Sequence, residues 1–496
     1  MRPTLDGVAL AGAMLALASV AIAQEAADPA AADRQYRLAQ RLGAEGSPDA
    51  PAAFEKVVAL APHGPLADDA LVDLARLAGS PDWPEDLAAL DAARAATAKL
   101  TLEKVLDAHA DGDRVLEARY RLALIRLAPL PLRDAARARQ DLIALASNPS
   151  RERWVIASRY VLGFLDEQVG AGERAAGAFA RIVVERPESD VAPRARAGFA
   201  RTLLAAERFG DAAGWLQEAI EGGAPAVVRA EAQRELALRE VMRERDPKQR
   251  WTAVATPLPT LTTTRGASLL ATAAEGRLLV FDRKNSAVQM FDAKGVGSTP
   301  VPLADVTALA TDPFGRVFVA TKEELLRWDA SGPAVVLTLG NLGAPAAIAV
   351  DASGSVFIAD RKGDRIARWV LGTPGPVVVR ESKGASVTAL AVLGGRVVAA
   401  EEKTGRIVAV FGPGAGAAFG TTTFRRPVAL AVDDAGRLSV LDEKAGTVTR
   451  LAPSGDVRDT LALDAGGVSR PLALAAAPDG AVRILDGSTG AVAVAP

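Results

Sequence analysis

Residues 349–369 read AVDASGSVFIADRKGDRIARW. The stretch runs from an apolar segment through a glycine turn into a second apolar segment that ends at Asp360. A polar turn and a third strand-like run, RIARW, follow. Short apolar runs bounded by Gly and Asp read as strands, not helices. The frame is not unique. It recurs as EGRLLVFD around Gly276, FGRVFVAT around Gly315, GGRVVAAE around Gly395, AGRLSVLD around Gly436 and DGAVRILD around Gly480. With Gly354 these glycines are 39, 39, 41, 41 and 44 residues apart. Each copy has an apolar strand before the glycine, such as VALAV, and one after the polar turn, such as RIVAVF or TVTRL. A weaker fourth strand follows, as in GPAVVLTL. Four short strands repeating at about 40 residues are the pattern of a propeller blade. The tight turn between the first two strands needs a residue at positive φ, which glycine adopts without strain. The acidic residue closing the second strand is placed to cap the next turn with its carboxylate.

The sixth copy ends at GAVAVAP and supplies only three strands. An unfinished blade would leave an open edge. The segment TAVATPLPTLTTT, Thr252–Thr264, has strand composition and precedes the first copy. It is expected to supply the outer strand of the last blade and so close the ring. Pro257 and Pro259 suit an outermost edge, where no ladder hydrogen bond is lost.

Upstream the period changes to that of a helix. In AAFEKVVALAP, Ala52–Pro62, residues Phe54, Val57, Val58 and Ala61 fall on one helical face. Similar cores begin at Leu102, Arg139, Phe179 and Leu216, at steps of 48, 37, 40 and 37 from Phe54 onward. Such steps describe helical hairpins stacked in a solenoid. The stretch GSPDWPEDLAALDAARAATAKLT breaks the period and calls for an extra or lengthened helix. The two histidines, His63 and His109, both follow second helices of hairpins. They read as residues of polar turns; the competing reading makes them a functional pair.

A chain of 496 residues is too long for one core, and two or three domains are expected. The formal net charge is −2 with 24% charged residues, which argues against a nucleic-acid binder. The absence of cysteine excludes disulfides, thiolate nucleophiles, cysteine-type zinc sites and an acylated lipobox cysteine. At the start, Arg2 precedes the apolar run VALAGAMLALASVAIA and the cleavage signal Ala21-Ile22-Ala23. This is the pattern of a signal peptide cut after Ala23, and it implies a periplasmic or secreted protein. No later segment has the length of a membrane span.

Two resemblances join these observations. In the last two hairpins, Gly163, Ala175, Phe179 and Pro187, and then Ala212, Leu216 and Ala219, fall in the register of tetratricopeptide repeats. The blade frame resembles the NHL-repeat propellers over nearly all of residues 251–496. Asn285 holds the signature Asn position in one blade, and no blade carries the signature His. The fold class expected is multidomain, α then β. A signal peptide over 1–23 is followed by a tetratricopeptide-like helical repeat domain over 24–250 and a six-bladed NHL-like propeller over 251–496.

The propeller has no His, Cys or Tyr. The lyases that the resemblance brings in depend on histidine, so they are not expected here. The calcium-dependent lactonase-type propellers would need a site made of carboxylates, because Asn285 and Asn341 are the only asparagines of this half. Asp282, Asp360, Asp442 and Asp486, with Glu401, follow second strands and read as turn caps; the competing reading is a ring for metal or acid–base chemistry. Asp312, Asp351, Asp433 and Asp479 share the tight turn with the glycine. The run GPGAGAAFG, Gly412–Gly420, lacks the Lys and the following helix of a phosphate loop and reads as a plain loop. Trp328 and Trp369 hold matching places in third strands and read as packing between blades.

One exposed feature repeats. A lysine stands eight residues after the blade glycine at Lys284, Lys362, Lys403 and Lys444, and seven after it at Lys322; Ser488 breaks the series. Arg425 and Arg426 precede the first strand of the fifth copy. All seven are expected on one face of the ring, as a cationic annulus for an acidic partner. The function expected is that of a non-catalytic scaffold that binds a protein or peptide, with no cofactor, no metal and no nucleic acid. The alternatives are a propeller enzyme with a carboxylate-bound metal and a module that binds glycan or cell wall.

Overall fold

The computed structural model describes residues 29–239, 256–257 and 265–495, except positions 129, 131, 207, 274, 275, 293, 313, 314, 330, 331, 361, 372, 374, 434, 435, 478 and 479. The expected signal segment and the boundary at 250/251 lie outside the described residues.

Eleven α-helices come first among the described residues. They are α1 (Pro29–Ala44), α2 (Ala50–Leu60), α3 (Ala67–Leu77), α4 (Ala92–Ala108), α5 (Val115–Leu127), α6 (Ala135–Ala146), α7 (Arg153–Gln168), α8 (Gly172–Glu185), α9 (Ala192–Ala205), α10 (Phe209–Glu221) and α11 (Ala226–Arg239). Local chemistry sets their ends. The Asp91 side chain caps α4 by accepting from the Arg94 N–H at 2.9 Å, and Asp134 caps α6 by accepting from Arg137 N–H at 3.0 Å. The broken period is explained by a 3₁₀ turn at Pro84–Ala89, followed by the 17-residue α4. Arg121, fully buried, holds this irregular stretch. It donates to Glu117 at 2.7 Å and to the carbonyls of Ser80 and Pro81 at 3.2 Å.

The chain divides into two compact units, and the division falls between Val161 and Leu162, inside α7. In the first unit Ala39, Phe54, Val57 and Ala70 share one core, with Tyr36 set edge-on to Phe54. In the second, Phe179 of α8 fills the space left by two glycines. A Cβ at Gly163 of α7 would sit 3.0 Å from its ring, and one at Gly198 of α9 would sit 2.8 Å from it. Ala175, Ala212 and Ala219 are wholly buried between helices.

Six small sheets follow and form a propeller. Blade 1 consists of Ala267–Thr272, Leu278–Asp282, Ala287–Phe291 and Val301–Pro302, and blade 2 of Val306–Thr311, Val317–Thr321, Glu324–Asp329 and Gly332–Thr338. Blade 3 has Ala347–Val350, Val356–Ala359, Arg365–Trp369 and Val377–Glu381. Blade 4 has Val387–Leu393, Arg396–Glu401 and Arg406–Phe411, and blade 5 Pro427–Val432, Leu438–Asp442, Thr447–Leu451 and Val457–Ala462. Blade 6 has Pro471–Ala476, Val482–Asp486 and Val492–Ala495, and its outer strand is Thr256–Pro257. That outer strand pairs antiparallel with the C-terminal strand, Thr256 opposite Val494 and Pro257 opposite Ala493. The described part of the expected latch therefore lies where the unfinished blade required it. First strands of neighbouring blades touch around the whole ring, blade 6 against blade 1 included. Leu270, Val280 and Phe291 pack there on Ala473, Leu485 and Val492.

One expectation needs correction. Blade 4 has three strands, not four. The glycine-rich run 412–420 folds back along its third strand instead. Ala409 N–H donates to Ala417 O at 2.9 Å and Phe419 N–H to Ile407 O at 2.7 Å, while Phe419 is buried between blades 4 and 5. Four glycines in nine residues favour a looped edge over a regular strand.

The six blade glycines all have positive φ, from 69° at Gly395 to 85° at Gly480. Because the sheets repeat with one polarity, the turns between first and second strands open on one side, here the glycine face. The turns between second and third strands, and the connections into first strands, open on the other, here the lysine face.

Candidate partner-binding face

The lysine face is built on its turn carboxylates. Asp442 accepts from the backbone N–H groups of Arg425 at 2.6 Å, Arg426 at 3.0 Å and Ala445 at 3.0 Å. Asp486 does the same in blade 6, with Ser469 and Arg470 at 3.3 Å and Ser488 at 2.8 Å. Asp282 receives Asn285 N–H at 3.1 Å and its side-chain amide at 2.7 Å. In blades 5 and 6 one carboxylate ties the second-to-third turn to the loop entering the first strand. Burial raises Asp360, but the Arg365 side chain and the N–H groups of Asp364 and Arg365 outweigh it and hold that carboxyl below its ordinary range. Asp486 is likewise held low, by Ser488, Ser469 and Arg470 against burial. These acids serve the turns of their own blades and do not converge on one point.

The tie through Asp442 sets Arg425 and Arg426 beside the turn of Lys444. All seven expected cations are exposed. Arg426 bridges Glu402 at 2.8 Å and Glu443 at 2.9 Å, and Lys322 is paired with Asp305. Lys284, Lys362, Lys403, Lys444 and Arg425 form no ion pair among the described residues. Side chains of this kind keep their charge available for a partner.

The central channel offers little chemistry. The six first strands carry no Asp, Glu, His or Asn; their polar side chains are the hydroxyls of Ser268, Thr272, Thr307, Thr311 and Thr388. Thr388 already donates to Pro427 O at 2.7 Å. Among the described residues, one group of carboxylates is close enough to share an ion: Asp68, Asp69 and Asp113, in the helical region. Arg114 neutralises it, 3.3 Å from Asp69, with its backbone N–H 3.3 Å from Asp68. Burial first, then Asp113, Asp68 and Asp73, push Asp69 up to about 6 against the pull of Arg114. His63 lies in the turn after α2 and His109 caps the C-terminal end of α4, and their rings stand 6.4 Å apart. No carboxylate joins them in a three-ligand group among the described residues.

On the glycine face the structure adds residues that the sequence reading passed over. Arg316 pairs with Asp312 and donates to Ala352 O of the next blade at 3.4 Å. Arg437 pairs with Asp433 at 2.6 Å, Arg450 donates to Gly480 O at 3.0 Å, and Arg483 donates to Gly276 O at 2.7 Å. All four are buried. Arg316, Arg450 and Arg483 each reach a backbone carbonyl of the neighbouring blade, while Arg437 pairs with Asp433 of its own turn. For Arg316 and Arg437 the signal was the Gly-Arg pair, which stands in four of the six frames; Arg450 and Arg483 lie outside it. Asp351 accepts from Ser355 N–H at 2.9 Å in the equivalent turn, and Asp479 lies outside the described residues. Trp369 packs between blades 2 and 3, and Trp328 lies partly buried between blades 1 and 2.

No protein-family model matches the chain, and no curated protein does. Among solved structures the chain is similar to a streptogramin B lyase, with 13% identity and a TM-score of 0.38, over 48% of this chain and 95% of that one. It is similar to the calcium-binding protein regucalcin from Agrobacterium tumefaciens, with 14% identity and a TM-score of 0.38, over 49% and 93%. A glucose dehydrogenase matches at 15% identity and a TM-score of 0.38, over 49% and 99%. The propeller assignment rests on the strand order described above.

Proposed function

We propose that this protein is an exported, non-catalytic scaffold whose lysine face binds an acidic protein segment. The observation that carries the reading is the repeated exposure of Lys284, Lys362, Lys403 and Lys444, without ion pairs, on turns of one face. A ring of mobile like charges raises the encounter rate with an acidic chain more than it raises the intrinsic affinity. First strands bare of carboxylate, histidine and asparagine support binding over metal-assisted catalysis in the channel. The helical hairpins, read as tetratricopeptide-like, offer a second surface for an extended peptide. Export is proposed from the leader pattern at residues 1–23.

The test uses polyglutamate as the probe. Wild-type protein should bind it with an affinity that falls as salt rises. Changing Lys284, Lys362, Lys403 and Lys444 together to Glu should weaken binding at low salt by at least roughly tenfold and flatten the salt dependence. A folded variant with unchanged affinity and slope would remove the lysine face as the site.

A further inference from the structure

The chain has two histidines in 496 residues. They come from successive helical hairpins, 46 positions apart, yet their rings stand 6.4 Å from each other. Each belongs to a stretch that leads from one helix into the next. These are PHGPLADD, Pro62–Asp69, from α2 into α3, and AHADGDRV, Ala108–Val115, from α4 into α5. His63 is exposed and His109 partly so. Neither imidazole makes a hydrogen bond or an ion pair among the described residues. The ring nitrogens are therefore free to bond to something that solvent brings.

The backbone beneath the rings is fixed without their help. His109 N–H donates to Val105 O at 2.9 Å, and His109 O accepts from Gly112 N–H at 2.9 Å. On the other loop Gly64 N–H donates to Ala61 O at 2.9 Å, and Ala67 N–H to Gly64 O at 3.1 Å. The two stretches are then tied to each other. Arg114 N–H donates to the Asp68 carboxylate at 3.3 Å, and the Arg114 guanidinium stands 3.3 Å from Asp69. Asp68 and Arg114 are also 46 positions apart, the same offset as the histidines. Gly112 packs so closely on Asp68 that a Cβ would lie 2.2 Å from its carboxylate. Two rings carried on loops joined in this way lose little freedom when one ion binds both.

We infer that His63 and His109 form a two-imidazole clamp for a divalent transition-metal ion such as zinc. Imidazole nitrogen suits zinc, copper and nickel, whereas calcium and magnesium take oxygen ligands. A zinc ion held by one nitrogen of each ring, at about 2.0–2.1 Å, would set the ring centres roughly 5–6 Å apart. Small χ rotations of these side chains close the difference from 6.4 Å. The charge around them favours a dication. Asp68 and Asp69 follow His63 by five and six positions, and Asp113 follows His109 by four. The three acids lie close together, and Arg114 answers them with one positive charge. With two protein ligands, water fills the rest of the coordination shell. Such a site takes up and releases its metal, unlike a closed structural zinc site. The inference does not rest on the role proposed for the lysine face.

The test is zinc binding to the full chain, purified without a histidine tag. Equilibrium dialysis should show a site for one zinc that survives a large excess of calcium. His63→Ala and His109→Ala should each weaken it at least roughly tenfold, since losing a ligand outright costs no less than losing an outer-shell partner. The double variant should bind little more weakly than either single one, because both remove the same clamp. Histidine-selective labelling gives two imidazole signals, and both should shift together as one equivalent of zinc is added. Melting temperatures without metal should not change, because neither imidazole bonds to the protein. Should an Ala variant lose stability, His63→Gln and His109→Gln decide the question by the same readout. Zinc bound as tightly by the single variants as by wild type, or signals that shift at different zinc concentrations, would overturn the clamp. So would loss of zinc on adding calcium, which would assign the ion to Asp68, Asp69 and Asp113. Polyglutamate binding in zinc-free buffer should be the same in all variants, so this inference and the lysine face fail separately.

Discussion

Two faces of one propeller carry the same sign of charge in opposite states. On the lysine face Lys284, Lys362, Lys403 and Lys444 stand in solvent on turns whose geometry is fixed by buried or half-buried carboxylates beneath them. On the glycine face Arg316, Arg437, Arg450 and Arg483 are buried, and each is spent on a carboxylate or a turn carbonyl. The chemistry of the two cations suits the division. A guanidinium directs several planar donors and can serve an acid and a carbonyl together, whereas an ammonium on a flexible stem stays hydrated. The difference teaches where each kind of substitution acts: on the glycine face it acts on the ring, and on the lysine face on what the ring meets.

The hardest strain on this comparison comes at ring closure, where both faces depend on one seam. Blade 6 is completed by Thr256–Pro257, and on the glycine face Arg483 crosses to Gly276 O of blade 1. Deleting residues 251–264 should remove most of the propeller's stability, of order 5–15 kcal/mol for a domain, and abolish its cooperative thermal transition. An unchanged melting curve would mean that the first-strand packing of blades 1 and 6 closes the ring unaided.

A smaller effect separates the faces directly. Asp433 is buried beneath Arg437, at 2.6 Å, and also accepts the Arg437 N–H at 2.9 Å. Replacing it with Ala takes the paired carboxylate away from a buried guanidinium, and such losses cost about 3–5 kcal/mol. Urea unfolding should show a lowered midpoint at similar slope. A loss below about 1 kcal/mol would show that water reaches Arg437 in the folded ring, and that the pair is not a buried one.

How much of this was legible beforehand follows from the range of each interaction. The blade frame could be read because a positive φ glycine and a turn-capping acid are local demands, met by Gly354 and Asp360 within a few residues. The missing strand of the last blade could be read because a blade needs its fourth edge. The helical period was equally local. What escaped was whatever depends on two distant segments meeting. Arg450 and Gly480 are neighbours through a blade-to-blade register that no stretch of sequence displays. Gly395 and Phe411 looked like ordinary blade residues, because the residues that pack on them, Ala205 and Gly170, lie far back in the helical part of the chain. The three-stranded blade 4 escaped for another reason. Its glycine-rich run was read correctly as a loop, yet a loop can still take the edge of a sheet, as Ala417 and Phe419 do. The lysine positions were legible as turn residues, but not which of them would be paired. Lys322 meets Asp305 from the preceding connection, while Lys284 meets no acid among the described residues.

The smallest expected effect sharpens the comparison most. Changing Lys284, Lys362, Lys403 and Lys444 to Ala one at a time should alter stability by no more than about 0.5 kcal/mol each, as is usual for exposed positions away from buried features. Their ammonium groups are solvated and unpaired, so truncation removes no buried contact and leaves no acid stranded. The turns themselves should persist, because their ties run through Asp282, Asp360, Glu401 and Asp442, which the substitutions leave in place. Urea midpoints of the four single variants, measured beside Asp433→Ala, decide the matter. Should any one lysine cost as much as the buried acid, that lysine is part of the ring's own structure, and the division between buried arginines and exposed lysines fails at that blade.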